Sequence, residues 1–291
     1  MVALCLLAEL QAAALLILAS KEQYPMRVIA LLFLCLATAV GQEAPAPKPA
    51  EKAPNNQEKA RTAVDQMIQA LGGQAYLSVQ DSYVEGRLGS FKNESLVGWS
   101  LYYRYWKWPN KERTELTKER DIVQLYLDDS AYEITYKGIQ PLDPVKEDRV
   151  RQGILRRHYS LENVLRGWLS ESGILLLDEG PSLSEGQMAE KITIINSKNE
   201  SVTLLVSPET HLPMEKRFTS RDPRYRDRDE EVTIYGNWRV IQGVNTPRVV
   251  LTRRNGETVS QQIILNATYN NHPSESLFDP AVARINPVKP K

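Results

Sequence analysis

From residue 82 onward, apolar and polar positions alternate with a period of two in run after run, as in strands that bury one face. The runs fall at 82–90, 96–108, 113–127, 131–139, 173–178, 189–196, 202–207, 212–220, 232–241, 248–254 and 257–266. Polar turns separate them at Lys92-Asn93, Pro109-Asn110, Asp128-Asp129 and residues 207–213. The strongest turn signal is Asn255-Gly256 between two β-branched runs, because both residues of such a turn take positive φ and Asn and Gly do so at least cost. Two antiparallel meanders follow, one near each end of the folded region.

A helical period replaces the alternation in two places. Ala60, Ala63, Val64, Met67, Ile68 and Leu71 fall on one helix face, which Gly72-Gly73 ends. Residues 145–171 give a second helical region with a break. Asp143 and Pro144 open it, and Ser160 caps a later part whose Leu161, Val164, Leu165, Trp168 and Leu169 form an apolar stripe. Helices inserted between two halves of a sheet are placed either to act as a lid or to be permanent core.

Run 96–108 is the most aromatic. Alternation sets Trp99, Leu101, Tyr103 and Tyr105 on one face and Ser100, Tyr102, Arg104, Trp106 and Trp108 on the other, so neither face is simply solvated. The strand is read either as central and packed on both sides, or as lining an apolar cavity with one of them. The mixed-charge run 217–231 reads as a solvated hairpin tip, with a docking loop or a weak cation site as the alternatives.

Ahead of these elements lie two apolar runs, 2–19 and 28–40. The second has the anatomy of a secretory signal, with Met26-Arg27 as its positive start and cleavage after Ala39 or Gly41, so residues 1–41 are read as a leader whose true start is Met26. The rival is an uncleaved membrane hairpin that keeps the protein tethered. Residues 42–58, rich in Pro and Ala, read as a disordered linker. Residues 59–286 then form a single domain and 287–291 a tail.

Composition narrows the chemistry. The 36 basic and 36 acidic residues leave no electrostatic footprint for nucleic acid. Both cysteines, Cys5 and Cys35, lie in the leader, which removes disulfides, a thiol nucleophile and thiolate metal sites from the mature chain. His158, His211 and His272 have no partner at metal-ligand spacing, and no nucleophile-elbow, phosphate-loop or dinucleotide motif occurs. The expectation is a protein without catalytic residues, metal or cofactor.

Together these pieces resemble the periplasmic lipoprotein-carrier and lipoprotein-receptor superfamily, the LolA/LolB-like half-barrels. Residues 101–110, ending in Trp108-Pro109-Asn110, look like the strand that enters that family's Pro-Asn turn, with Arg113 just beyond. Residues 132–141 look like the next aromatic strand before the lid, and 207–213 like an Asp-Pro-x-Thr-Gly-Leu-Pro turn without its Asp and Gly. Residues 236–247 and 266–280, with Leu277-Phe278-Asp279-Pro280, look like the closing strands and tail. One departure stands out: the carriers place a basic residue directly before Pro-Asn to latch the lid, and this chain has Trp108 there.

The resemblance implies an α+β fold, an incomplete antiparallel β-barrel with helices covering its concave face. It implies an exported, periplasmic, monomeric carrier or receptor for lipid or lipoprotein acyl chains. The cavity lining is then expected from Trp99, Leu101, Tyr103, Tyr105, Tyr126, Leu161, Leu165 and Trp168. The alternative is a noncatalytic cell-envelope interaction module with a filled core and the 217–231 loop as its contact surface.

Overall fold

A computed structural model describes residues 55–222, 225 and 227–285. The leader, most of the linker and the tail lie outside the described residues. The linker's last residues do not: helix α1 (Asn56–Leu71) begins within the span read as disordered. It is opened by a reciprocal capping box between Asn55 and Glu58.

One antiparallel sheet holds thirteen strands. The first half is β1 (Asp81–Lys92), β2 (Ser95–Lys107), β3 (Lys111–Leu116), β4 (Ile122–Leu127), β5 (Ser130–Thr135) and β6 (Gly138–Leu142). The second is β7 (Leu175–Ser184), β8 (Gln187–Ile195), β9 (Ser201–Val206), β10 (Pro213–Arg221), β11 (Arg228–Ile241), β12 (Val244–Arg254) and β13 (Glu257–Tyr269). The chain walks outward from β1 to β6, crosses to the opposite edge at β7, and walks back until β13 pairs with β1. The edges β6 and β7 do not meet, so the sheet is a large unclosed one, as in a half-barrel.

Two of the long runs are hairpins. Run 113–127 folds back at residues 117–121, where Thr117 and Arg120 take φ of 69° and 56°. Run 131–139 turns at Tyr136-Lys137 to make β5 and β6. Asn255-Gly256 forms the expected turn, both residues having positive φ.

Helix α1 packs its buried face, Ala60, Val64, Met67, Ile68 and Leu71, into the main core. Ile192, Ile194, Val202, Leu204, Val206 and Phe218 of β8–β10 belong to the same cluster. The side-chain amide of Asn56 bonds both the N–H and the C=O of Asp178 on the edge strand β7. At the other end of α1, Gly72 takes φ of +128°, and a Cβ there would lie 2.3 Å from the carbonyl oxygen of Gly243. Only glycine fits both conditions. A short helix, α2 (Gln74–Leu77), leads into β1.

The helical crossover is shorter than its pattern suggests. Asp143 caps the N–H of Val145, but the helix proper, α3 (Asp148–His158), starts later. Beyond it a π turn, Asn163–Gly167, and a 3-10 turn, Trp168–Ser170, carry Val164, Leu165 and Trp168 into the main core.

Charge fixes α3 to the sheet. Arg151 donates to Asp148, Asp222 and Asp229 at 2.7, 3.0 and 3.3 Å, Arg254 donates to Asp229 at 2.6 Å, and Arg156 Nε donates to both carboxylate oxygens of Glu231 at 2.9 Å. Asp222, Asp229 and Glu231 are buried. The mixed-charge run is therefore not simply a solvated tip: three of its acids anchor a helix. Close packing adds to this, since a Cβ on Gly153 would lie 2.6 Å from the Tyr126 hydroxyl.

The other face of β3–β5 carries a second cluster, in which Val123, Leu125 and Ile134 pack with Phe278 and Ala283 of the C-terminal segment. Arg113, fully buried, pairs with Glu115 at 2.7 Å and donates to the carbonyl oxygens of Leu277 and Arg284 at 3.3 and 2.7 Å. Its charge is thus matched by one carboxylate and two backbone dipoles, the conditions under which a buried guanidinium is tolerated.

Candidate functional site: a cavity on the even-numbered face of β2

Strand register determines which residues share a face. Along β2 the side chains of Tyr102, Arg104 and Trp106 point one way, and β1 places Ser82, Val84, Leu88 and Ser90 beside them. On β13 and β12 the same surface continues through Tyr269, Ile264, Gln262 and Ser260, then Val250 and Thr252. These residues line a cavity of about 510 Å³. Its remaining walls come from Tyr126 on β4, Arg157 on α3, Leu161 and Arg166 of the crossover, Lys216 on β10, and Tyr235 and Trp238 on β11. The volume lies within the range of about 300–1,000 Å³ usual for small-molecule pockets.

The lining mixes apolar and polar side chains and includes a cationic wall. Six basic and two acidic residues contribute to it, the acids being Glu112 and Glu162. Arg156 is bound by Glu231, and Arg166 donates to the carbonyl of Val79 at 2.7 Å while stacking on Trp108 at 4.1 Å. Arg157 is only 8% exposed and lies over the Tyr126 ring at 3.6 Å. Its Nη1 is 3.9 Å from Glu112, but Nε and Nη2 have no protein partner. Nε of Arg104 and the hydroxyls of Tyr76 and Tyr102 are likewise unpartnered.

Burial shifts the titrating groups here. It lowers the Lys216 ammonium to about 8, with Glu231 and Glu162 pulling the other way, although Lys216 Nζ donates to the carbonyl of Tyr159 at 2.8 Å. Burial also lowers Arg157 and pushes the Tyr76, Tyr102 and Tyr235 phenols up. It works against the Arg104 charge too, but Tyr102 and Glu112 outweigh it and hold that guanidinium above its ordinary value. Among the described residues no group of three or more His, Cys, Asp or Glu side chains is placed to hold a metal ion.

Of the residues expected to line a cavity, Tyr126 and Leu161 do so. Leu165 and Trp168 sit in the main core beside α1, where Trp168 packs edge-on to Tyr159 at 5.7 Å. Trp99, Leu101, Tyr103 and Tyr105 belong to the opposite face of β2. There Tyr105 packs against the C-terminal cluster, Tyr103 lies under Arg120 at 3.6 Å, and Trp99 is 42% exposed. The even-numbered set of the same strand takes their place at the cavity. Strand alternation identifies both sets; the lysine, the arginines and the β11–β13 residues carry no local signal that points to a pocket.

The Pro-Asn turn meets the crossover directly. Asn110 Oδ1 accepts from Asn163 Nδ2 at 2.8 Å, two residues beyond the Trp108 ring on which Arg166 stacks. The aromatic partner directly follows the strand and the cation is on the helical segment.

No protein-family model matches the chain, and no curated protein matches it in sequence. Solved structures do match in shape. An outer membrane lipoprotein-sorting protein domain from Vibrio parahaemolyticus superposes with a TM-score of 0.53 at 10% identity, over 77% of this chain and 98% of that one. A DUF1329 family protein from Desulfovibrio piger gives 0.50 at 12% identity, over 77% and 98%. A LolA superfamily protein from Nitrosomonas europaea gives 0.47 at 12%, over 76% and 97%. Identities this low speak to the fold alone, which this chain shares with the lipoprotein-sorting protein domain and the DUF1329 family protein.

Proposed function

We propose that this protein is an exported, noncatalytic carrier or receptor that holds the acyl chain of a lipid or lipoprotein in the cavity beneath α3 and the 159–170 crossover. These helical segments serve as the roof of the concave face. The observation that carries the proposal is the cavity of about 510 Å³, lined by Val84, Leu88, Tyr102, Trp106, Val250 and Ile264. Burial alone suffices as a driving force: each methylene moved from water is worth about 0.8 kcal/mol, so a long chain binds without any reacting group. The leader-like residues 1–41 support export to the periplasm. A hollow of this size weighs against the reading of a module with a filled core, as does the engagement of Asp222, Asp229 and Glu231 with α3 arginines.

Titration with a fluorescent fatty acid tests the proposal. Binding is expected in the wild type and is lost in V250W, whose indole occupies the cavity, while W99A on the opposite face keeps it. Absence of binding in the wild type, or equal binding in V250W, refutes it.

A further inference from the structure

Resting on the carrier reading, we infer that the occupant is an anionic amphiphile. Its carboxylate or phosphate head is received by the Nε–Nη2 edge of Arg157 beside Arg104, and its chain lies along Val84, Ile264 and Val250. Three observations converge on this.

The first is the state of Arg157. A guanidinium recognises a carboxylate or phosphate through two parallel N–H bonds, and the Nε–Nη2 edge is one that presents such a pair. In Arg157 that edge has no protein partner, although the side chain is more than nine-tenths buried. The opposite edge is the one near Glu112, and the flat face is taken by Tyr126. The group is thus held in place by its other two surfaces, while its recognition edge, buried, has no acceptor. Buried donors without acceptors are costly, by about 1–3 kcal/mol for each group, so such an arrangement is explained by a ligand that supplies the acceptors.

The second observation is a neighbour of the same kind. Arg104 is on the cavity face of β2, where it pairs in register with Thr114 of β3; the next pair along is Trp106 with Glu112. Glu112 in turn faces Tyr126 on β4. Arg104 therefore lies one step from the Glu112–Tyr126 pair that supports Arg157, and its Nε is also unpartnered.

The third is the distribution of polarity. From this wall the lining includes Val84, Ile264, Leu88 and Val250, none of which offers a side-chain polar group, with Gln262 in register between the last two. A cationic wall and an apolar strip within one hollow match an amphiphile better than either a free anion or a neutral hydrocarbon.

The test compares ligands of one chain length with different heads, using the full-length protein at pH 7.5. Dodecanoate, below its micellar concentration, and dodecanol, below its solubility limit, are titrated by isothermal calorimetry, with inorganic phosphate as a head without a chain. Dodecanoate is expected to bind at least about ten-fold more tightly than dodecanol. Phosphate up to millimolar concentration is expected neither to bind measurably nor to displace dodecanoate. In R157Q the gap between acid and alcohol narrows to a few-fold, and R104Q provides a second narrowing should R157Q fail to fold. Equal affinity for acid and alcohol overturns the anionic head while leaving the carrier reading intact. Tight phosphate binding overturns the amphiphile in favour of a free-anion site. Binding of neither twelve-carbon compound removes the carrier reading and this inference with it.

Discussion

Replacing Lys216 by methionine probes the polarity of the cavity wall without any ligand. The ammonium is 3% exposed, and burial lowers it from 10.5 to about 8. At pH 7 folded and unfolded chains both carry the proton, and the gap between the two values makes the charge cost the fold about 3 kcal/mol, at about 1.4 kcal/mol per pH unit. As the pH rises past about 8 the folded state gives up its proton while the unfolded state keeps it until about 10.5. The unfolded state then binds more protons, so stability rises with pH, by about 2 kcal/mol between pH 7 and 9.5. K216M has no such group. Urea midpoints for both proteins at half-unit pH steps give the difference between them, from which the shifted tyrosines common to both cancel. That difference is expected to move by about 2 kcal/mol in favour of the wild type as the pH rises to 9.5. A difference that stays flat across the range refutes the burial of a charged lysine in the cavity wall.

Further predictions concern what holds the site in place. G153A forces a methyl into the Tyr126 hydroxyl and is expected to destabilise by about 1–2 kcal/mol despite the better helix propensity of alanine; a raised melting temperature would contradict the close seating of α3. Burial raises the Asp229 carboxyl, but Arg254, Asn255 and Arg151 more than offset this and hold it below the usual aspartate range. The stability gap between wild type and D229N, full at neutral pH, should therefore close as the pH falls below about 4, and a gap that persists in acid contradicts the pairing. F278A removes a side chain that is 2% exposed and should cost about 3–5 kcal/mol in urea unfolding; a cost under about 1 kcal/mol means the C-terminal segment is not part of the core. W108A removes the face on which Arg166 stacks and should lower stability by about 1–2 kcal/mol, whereas W108F retains part of that; equal losses in both would count against the stacking.

Elements whose signals are local were legible in the sequence. Residues 60–71 read as a helix because six apolar positions share one face, and Asn255-Gly256 read as a turn because few other pairs accept positive φ at both positions. The fold-back at 117–121 was not legible: it has no Gly or Pro, and Thr117 and Arg120, which take positive φ there, are not residues that announce a turn. Thr117 donates its N–H to the carbonyl of Leu101 at 3.0 Å and its hydroxyl to Asp121 at 2.6 Å. The sidedness of β2 was hidden for a similar reason. Both its faces are aromatic, so the outcome depends on what arrives from far along the chain. Phe278 and Ala283 cover the Tyr105 side, fixed there by Arg113, and α3 brings Arg157 to the Arg104 side. Neither event leaves a trace in the alternation of residues 96–108. The acids of 217–231 looked solvated for the same reason, since the arginines that bury them lie some seventy residues earlier in the chain.

An unclosed sheet has two raw borders, each a row of peptide groups able to recruit a foreign strand. At one border Asn56 occupies both bonding groups of Asp178 with a single amide, in the manner of a one-residue fourteenth strand. At the other, the border strand is five residues long and includes Pro141, which has no N–H to offer. With one residue of the first border capped and the second border short and interrupted by proline, the sheet stays unclosed while offering less of a template for its own aggregation.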